Sequence, residues 1–115
     1  MSLQHKTLAS GRWAEFSLME QLANVGSEVE RALNWRRRKN VEHSRMALKR
    51  GLELLELTIA DPRHRHRLKE LTRTREALLD YFLGDNQFRS TEQSWKKYFY
   101  GFAYAARLSK SSRIF

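Results

Sequence analysis

Residues 17–38, SLMEQLANVGSEVERALNWRRR, decide how the rest of the chain is read. Leu18, Leu22, Val25, Val29 and Ala32 step by four and three, the spacing that lines side chains along one face of an α-helix. Met19, Gly26 and Leu33 widen that face. Ser17 stands three residues before Glu20, so its hydroxyl can accept from the Glu20 amide while the carboxylate reaches back. Arg36, Arg37 and Arg38 close the stretch, where positive charge suits the negative end of the helix dipole. The pattern predicts a helix over residues 16–38, with a start near Ser10 and Gly11 as the longer alternative. Gly26 lowers helix propensity by about 1 kcal/mol, so a close contact with another helix is expected there.

The same period continues outward. Asn40 can cap a second helix over residues 41–60, with Leu48, Leu52, Leu55 and Ile59 as its seam and Ala47, Gly51 and Leu54 beside it. Asp61-Pro62 predicts a sharp restart, because aspartate suits an N-cap and proline the first helical position. The third helix is expected over residues 62–83, stopped by Gly84. Ser90-Thr91-Glu92-Gln93 repeats the capping-box spacing and opens a fourth over residues 91–108, with Trp95, Tyr98 or Phe99, and Phe102 facing inward. Residues 1–10 are expected to be disordered and residues 109–115 to form a frayed basic tail. Four helices of about 20 residues, each about 30 Å long, with short connections predict an all-α single domain, an antiparallel four-helix bundle over residues 11–108.

Composition narrows the function. The 115 residues hold no cysteine, which excludes disulfides, zinc-thiolate sites and a cysteine nucleophile. Mean hydropathy is −0.71, and no apolar run approaches the roughly 18 residues of a spanning helix. No signal-peptide stretch opens the sequence, so a cytoplasmic location is expected. The formal charge of +9 favours phosphate backbones, anionic membranes or acidic protein surfaces. No P-loop, dinucleotide fingerprint, nucleophile elbow or Glu-x-x-His pair is present, and no cofactor is expected.

Three stretches carry a family likeness: residues 26–35 (GSEVERALNW), 52–62 (LELLELTIADP) and 75–86 (REALLDYFLGDN). Together they resemble a family of small, all-helical prokaryotic proteins with no assigned function. The resemblance implies a helical fold over residues 13–106. It brings no activity, cofactor or site residue.

Several residues could carry chemistry. Arg75 falls in phase with Leu68, Leu71, Leu78 and Phe82, so a buried guanidinium paired with Glu28, Glu53 or Glu56 is expected. An anion site inside the bundle is the alternative. Arg63, Arg65 and Arg67, interleaved with His64 and His66, occupy the positive end of the third helix, with Arg107, Lys110 and Arg113 expected at the same end. Arginines beside exposed amides suit a phosphate, so this cluster is one candidate polyanion site. Arg36, Arg37 and Arg38, beside Trp35, are the other, about 30 Å away by helix length. His64 and His66 diverge by about 200° on a helix, which argues against a shared metal. Arg38 and His43 have the R-x4-H spacing that resembles the ribonuclease motif of HEPN-type helical bundles. Tyr100 and Tyr104 are four apart and point away from the fourth helix's inner seam, which suggests a homodimer interface. The leading expectation is a non-enzymatic assembly module that forms a homo-oligomer. Nucleic-acid binding is the alternative, and an Arg38/His43 ribonuclease ranks below it.

Overall fold

A computed structural model describes residues 11–114, with side chains for residues 11–109. Residues 1–10 and 115, and the side chains of Lys110 and Arg113, therefore lie outside the described residues. Among the described residues the chain is all-helical. Four α-helices follow one another: α1 (Leu18–Arg37), α2 (Val41–Ala60), α3 (Leu68–Leu83) and α4 (Glu92–Ile114). Two 3₁₀ segments, Arg12–Glu15 and Pro62–Arg67, precede α1 and α3. No helix among the described residues is long and apolar enough to cross a membrane.

The helix ends are held by the residues that announce them. Ser17 Oγ accepts from the Glu20 amide at 3.2 Å and Glu20 Oε1 accepts from the Ser17 amide at 3.0 Å, a complete capping box. Asn40 Oδ1 accepts from the His43 amide at 3.0 Å and starts α2. Three residues, Arg38, Lys39 and Asn40, join α1 to α2. Lys39 adopts a left-handed conformation (φ 60°), its amide bonds to Arg36 O, and the Asn40 amide bonds to Trp35 O. These are the paired bonds of a Schellman motif, here with a lysine where glycine is usual. At α4 the cap falls one residue later than the spacing of Ser90 and Gln93 suggests. Thr91 Oγ1 accepts from the Ser94 amide and Ser94 Oγ from the Thr91 amide, both at 2.9 Å. The helix then continues to Ile114 rather than stopping near Leu108.

The third helix departs further from expectation. Residues 62–67 do not form its first turns. Asp61 accepts from the Arg63 amide and starts a 3₁₀ segment in which His64 has a non-helical backbone (φ −106°, ψ 20°). That bend turns the His64 side chain into the interior, where it is buried.

Core packing follows the α1 seam. Leu22, Val25 and Val29 are buried with Leu54 and Leu55 of α2, Leu71 and Leu78 of α3, and Trp95 and Phe99 of α4. Ala32, Ala47 and Leu48 form a smaller cluster. In α2 the buried face runs through Ser44, Ala47, Leu48, Gly51, Leu55 and Thr58, and Leu52 and Ile59, expected in its seam, are half-buried at its edge. Residue pairs between α1 and α2 fall along one helix as they rise along the other: Ala32 with Ser44, then Glu28 with Arg50, then Gln21 with Asp61. α1 and α4 approach closely at Gly26, where an added Cβ would stand 2.6 Å from Phe99 Cβ. The close contact expected at Gly26 is therefore present, and its partner is α4.

Candidate functional site

Three regions hold the side chains with chemical potential. The first surrounds the 3₁₀ segment Pro62–Arg67. His64 Nε2 lies 3.0 Å from Gln21 Oε1. The Gln21 amide nitrogen donates to Trp13 O at 2.9 Å and to Asp61 Oδ2 at 3.3 Å. Those two acceptors fix which end of the amide is nitrogen, so His64 Nε2 must carry the hydrogen it shares with Gln21. Trp13, also buried, donates from Nε1 to Thr58 Oγ1 at 3.2 Å. Arg63 closes the network, donating to Asp61 Oδ2 at 2.6 Å and to Phe16 O at 2.9 Å.

The electrostatics here are those of a structural clasp. The Arg63 hydrogen bond holds the Asp61 carboxyl far below the usual carboxylate range. Burial lowers the His64 pKa, outweighing the pull of Asp61 in the other direction. A histidine kept neutral by the fold supports stability above its unfolded pKa of about 6.5, and that support is lost as pH falls from there toward the lower folded value. Urea unfolding at pH 7 and pH 5 should therefore show a loss of stability on acidification. His64→Gln should flatten this dependence, and an unchanged slope in the variant would assign it elsewhere. Asp61 stays ionised throughout this range.

These contacts revise the first polyanion candidate. Arg63 is committed to Asp61, and Arg67 makes a forked pair with Glu70 at 2.7 and 3.1 Å while facing the Phe102 ring at 6.0 Å. Of the three arginines only Arg65 is exposed without an acid partner among the described residues. The cluster does not lie on an α-helical first turn, so the dipole argument made for it does not apply.

The second region is the end formed by the α1–α2 turn. Arg36 donates to Tyr81 O at 3.3 Å and lies 4.5 Å from the Tyr81 ring centroid. Arg37 is paired with Glu92, which in turn lies 3.6 Å from Lys96, and the Arg37 bond lowers the Glu92 pKa. Arg38 is left without an acid partner among the described residues and sits 5.6 Å from the Trp35 ring. The His43 ring lies tilted by 31° against the same indole, with centroids 4.6 Å apart. His43 Nδ1 lies 3.0 Å from Asn40 Oδ1, the atom that already accepts from the His43 amide and must be oxygen. In the neutral ring the hydrogen therefore sits on Nδ1 and Nε2 keeps its lone pair. Arg38 and His43 thus share one aromatic neighbour across the turn.

The third region is the outer side of α4. Tyr100 and Tyr104 are 61% and 50% exposed, with their rings stacked at 6.3 Å. Arg107 lies 6.0 Å from the Tyr100 ring. Tyr100 borders two grooves along the junction of α1 and α4. One is about 730 Å³, lined by Gly26, Val29, Leu33, Trp95 and Phe99 among others. The other is about 360 Å³, lined by Phe16, Ala23, Ala103 and Ala106 among others. Trp95 Nε1 is buried beside the larger groove with no hydrogen-bond partner among the described residues.

Arg75 is not the buried cation its spacing suggests. It lies half-exposed and pairs with the exposed Glu56 at 3.1 Å, one of its three expected partners. Such a pair contributes at most about 1 kcal/mol. The buried position is its neighbour Thr74, whose hydroxyl meets Glu70 O at 2.9 Å and the Tyr98 hydroxyl at 3.1 Å. Leu68, expected in the seam, is exposed. The buried acid joining two helices is Glu28, which accepts from Arg50 at 2.5 Å and is also bridged by Arg31. Trp13 lies outside the helical seams of the sequence, whereas Gln21 and Glu28 each stand three residues after one α1 seam residue and four before the next, a signal that their polar side chains mask. Among the described residues no group of three histidine or carboxylate side chains converges to hold a metal ion. No family model, curated protein or solved structure matches this chain.

Proposed function

We propose that the chain is an antiparallel four-helix bundle acting in the cytoplasm as a non-enzymatic assembly module, pairing with a second copy through the outer face of α4. The observation that carries this reading is the stacked, exposed pair Tyr100 and Tyr104 beside the grooves along α1 and α4. A two-fold interface needs a patch that is its own complement, and a protruding ring next to an open groove supplies both halves. Tyrosine is favoured at interface centres because its large ring is ordered at low entropic cost. Sedimentation velocity should give a dimer for the native chain and a monomer for Tyr100→Ala/Tyr104→Ala, with helicity unchanged. A native chain that stays monomeric at the highest attainable concentration refutes the reading.

A ribonuclease reading rests on a separate observation, the meeting of Arg38 and His43 at the Trp35 ring. It requires that RNA incubated with the chain be cleaved and that His43→Ala abolish the cleavage.

A further inference from the structure

The end of the molecule that holds the α1–α2 turn also holds the α3–α4 loop. Arg36 reaches Tyr81 O near the end of α3, and Arg37 reaches Glu92 at the start of α4. Three of the chain's exposed large apolar side chains gather at this end: Val41 (59%), Leu83 (56%) and Phe88 (49%). They project from the first residue of α2, the last of α3 and the connecting loop.

The loop is built to hold Phe88 outward. The Asp80 carboxylate accepts from the Gln87 and Phe88 amides at 2.8 and 3.0 Å. Asn86 accepts from the Ser90 amide at 2.8 Å and donates to Ser90 O at 2.9 Å. Hydrogen bonds on both sides of Phe88 thus set its backbone, and the ring does not fold back onto the core.

Around these apolar groups lie Arg38, Lys39 and Arg89, all exposed and none with an acid partner among the described residues. The exposed acids of the same end are Glu42 and Asp85.

We propose that this end docks on an anionic lipid bilayer. Phe88, Leu83 and Val41 enter the boundary between headgroups and acyl chains, while Arg38, Lys39 and Arg89 meet the anionic headgroups. The combination selects this partner. Cations alone would suit any polyanion, but a valine and a leucine gain nothing from a phosphate backbone, whereas hydrocarbon rewards their burial. The apolar groups sit on turns and helix ends, so the contact is peripheral, consistent with the lack of a spanning helix among the described residues. The negative cytoplasmic leaflet supplies the matching charge. This end is remote in sequence from Tyr100 and Tyr104, and a failure of the dimer leaves the proposal standing.

The test is co-sedimentation of the full chain with vesicles of phosphatidylcholine containing about 30% phosphatidylserine, an anionic surface, against phosphatidylcholine alone. The chain should pellet with the first and not with the second. Leu83→Ala/Phe88→Ala should lower the partition coefficient by at least tenfold, since full transfer of either side chain into hydrocarbon is by itself worth about that factor. Arg38→Glu/Arg89→Glu should abolish binding, and added salt should weaken it. All four side chains are exposed, and circular dichroism verifies that each variant keeps its fold. No pelleting with the serine-containing vesicles overturns the proposal. So does equal pelleting with phosphatidylcholine alone. Undiminished binding of the Leu83→Ala/Phe88→Ala protein also overturns it, because charge alone then makes the contact, as it would for a nucleic acid.

Discussion

Trp13→Ala is expected to lower the free energy of unfolding by about 3–5 kcal/mol, the range for deleting a buried aromatic side chain. Trp13 belongs to a four-residue 3₁₀ segment that makes no α-helical ladder of its own. Its attachment depends on the buried indole, the Nε1 bond to Thr58, the edge contact with Phe16 at 5.6 Å and the bond from Gln21 to its carbonyl. Without the indole the segment loses its anchor. The Gln21, Asp61 and His64 network then opens on one side, and Thr58, fully buried, loses a donor. Trp13→Phe separates the contributions. It keeps most of the apolar burial and removes the Nε1 donor, so its cost should be nearer 1 kcal/mol. Urea unfolding followed by circular dichroism measures both. A Trp13→Ala loss below about 1 kcal/mol, the size of a surface effect, would mean that the segment is not docked as described.

Gly26→Val is expected to cost about 3 kcal/mol or more, at the upper end of overpacking effects. Even an alanine Cβ would meet Phe99 Cβ at 2.6 Å and Cγ at 2.9 Å, and a Cβ cannot swing aside as the tip of a long side chain can. The two helices must separate, and α4 loses its fit against Val25 and Val29. Gly26→Ala gains about 1 kcal/mol of helix propensity against this strain and should cost less. Gly101 provides the control. It lies within α4 with nothing near its absent Cβ, so Gly101→Ala should raise stability by up to about 1 kcal/mol. Opposite signs at the two glycines would identify helix contact, rather than propensity, as the cause. Thermal and urea unfolding of the three variants decide the matter.

The sequence by itself determined the class of fold, the course of α1 and α2, and the face that α1 buries. The reason is that these features are local. A capping box needs residues three apart, an N-cap needs one side chain, and an apolar stripe needs only the helical period. Ser17 and Glu20, Asn40, and the run Leu22, Val25 and Val29 could therefore be read directly, as could the outward direction of Tyr100 and Tyr104.

Only the tertiary structure decided which residue fills the α3 seam between Leu71 and Leu78. Both leucines are buried as their spacing predicts, but steps of three then four reach Thr74 and steps of four then three reach Arg75. Helical period allows either; packing buries Thr74 against Tyr98 and leaves Arg75 to pair with Glu56 at the surface. The tertiary structure also decided which cations remain unpaired. Arg37 finds Glu92 fifty-five residues away, and Arg50 finds Glu28 across twenty-two. Helical period cannot encode those distances, because such pairs form only when separate helices have packed and their ends have come together.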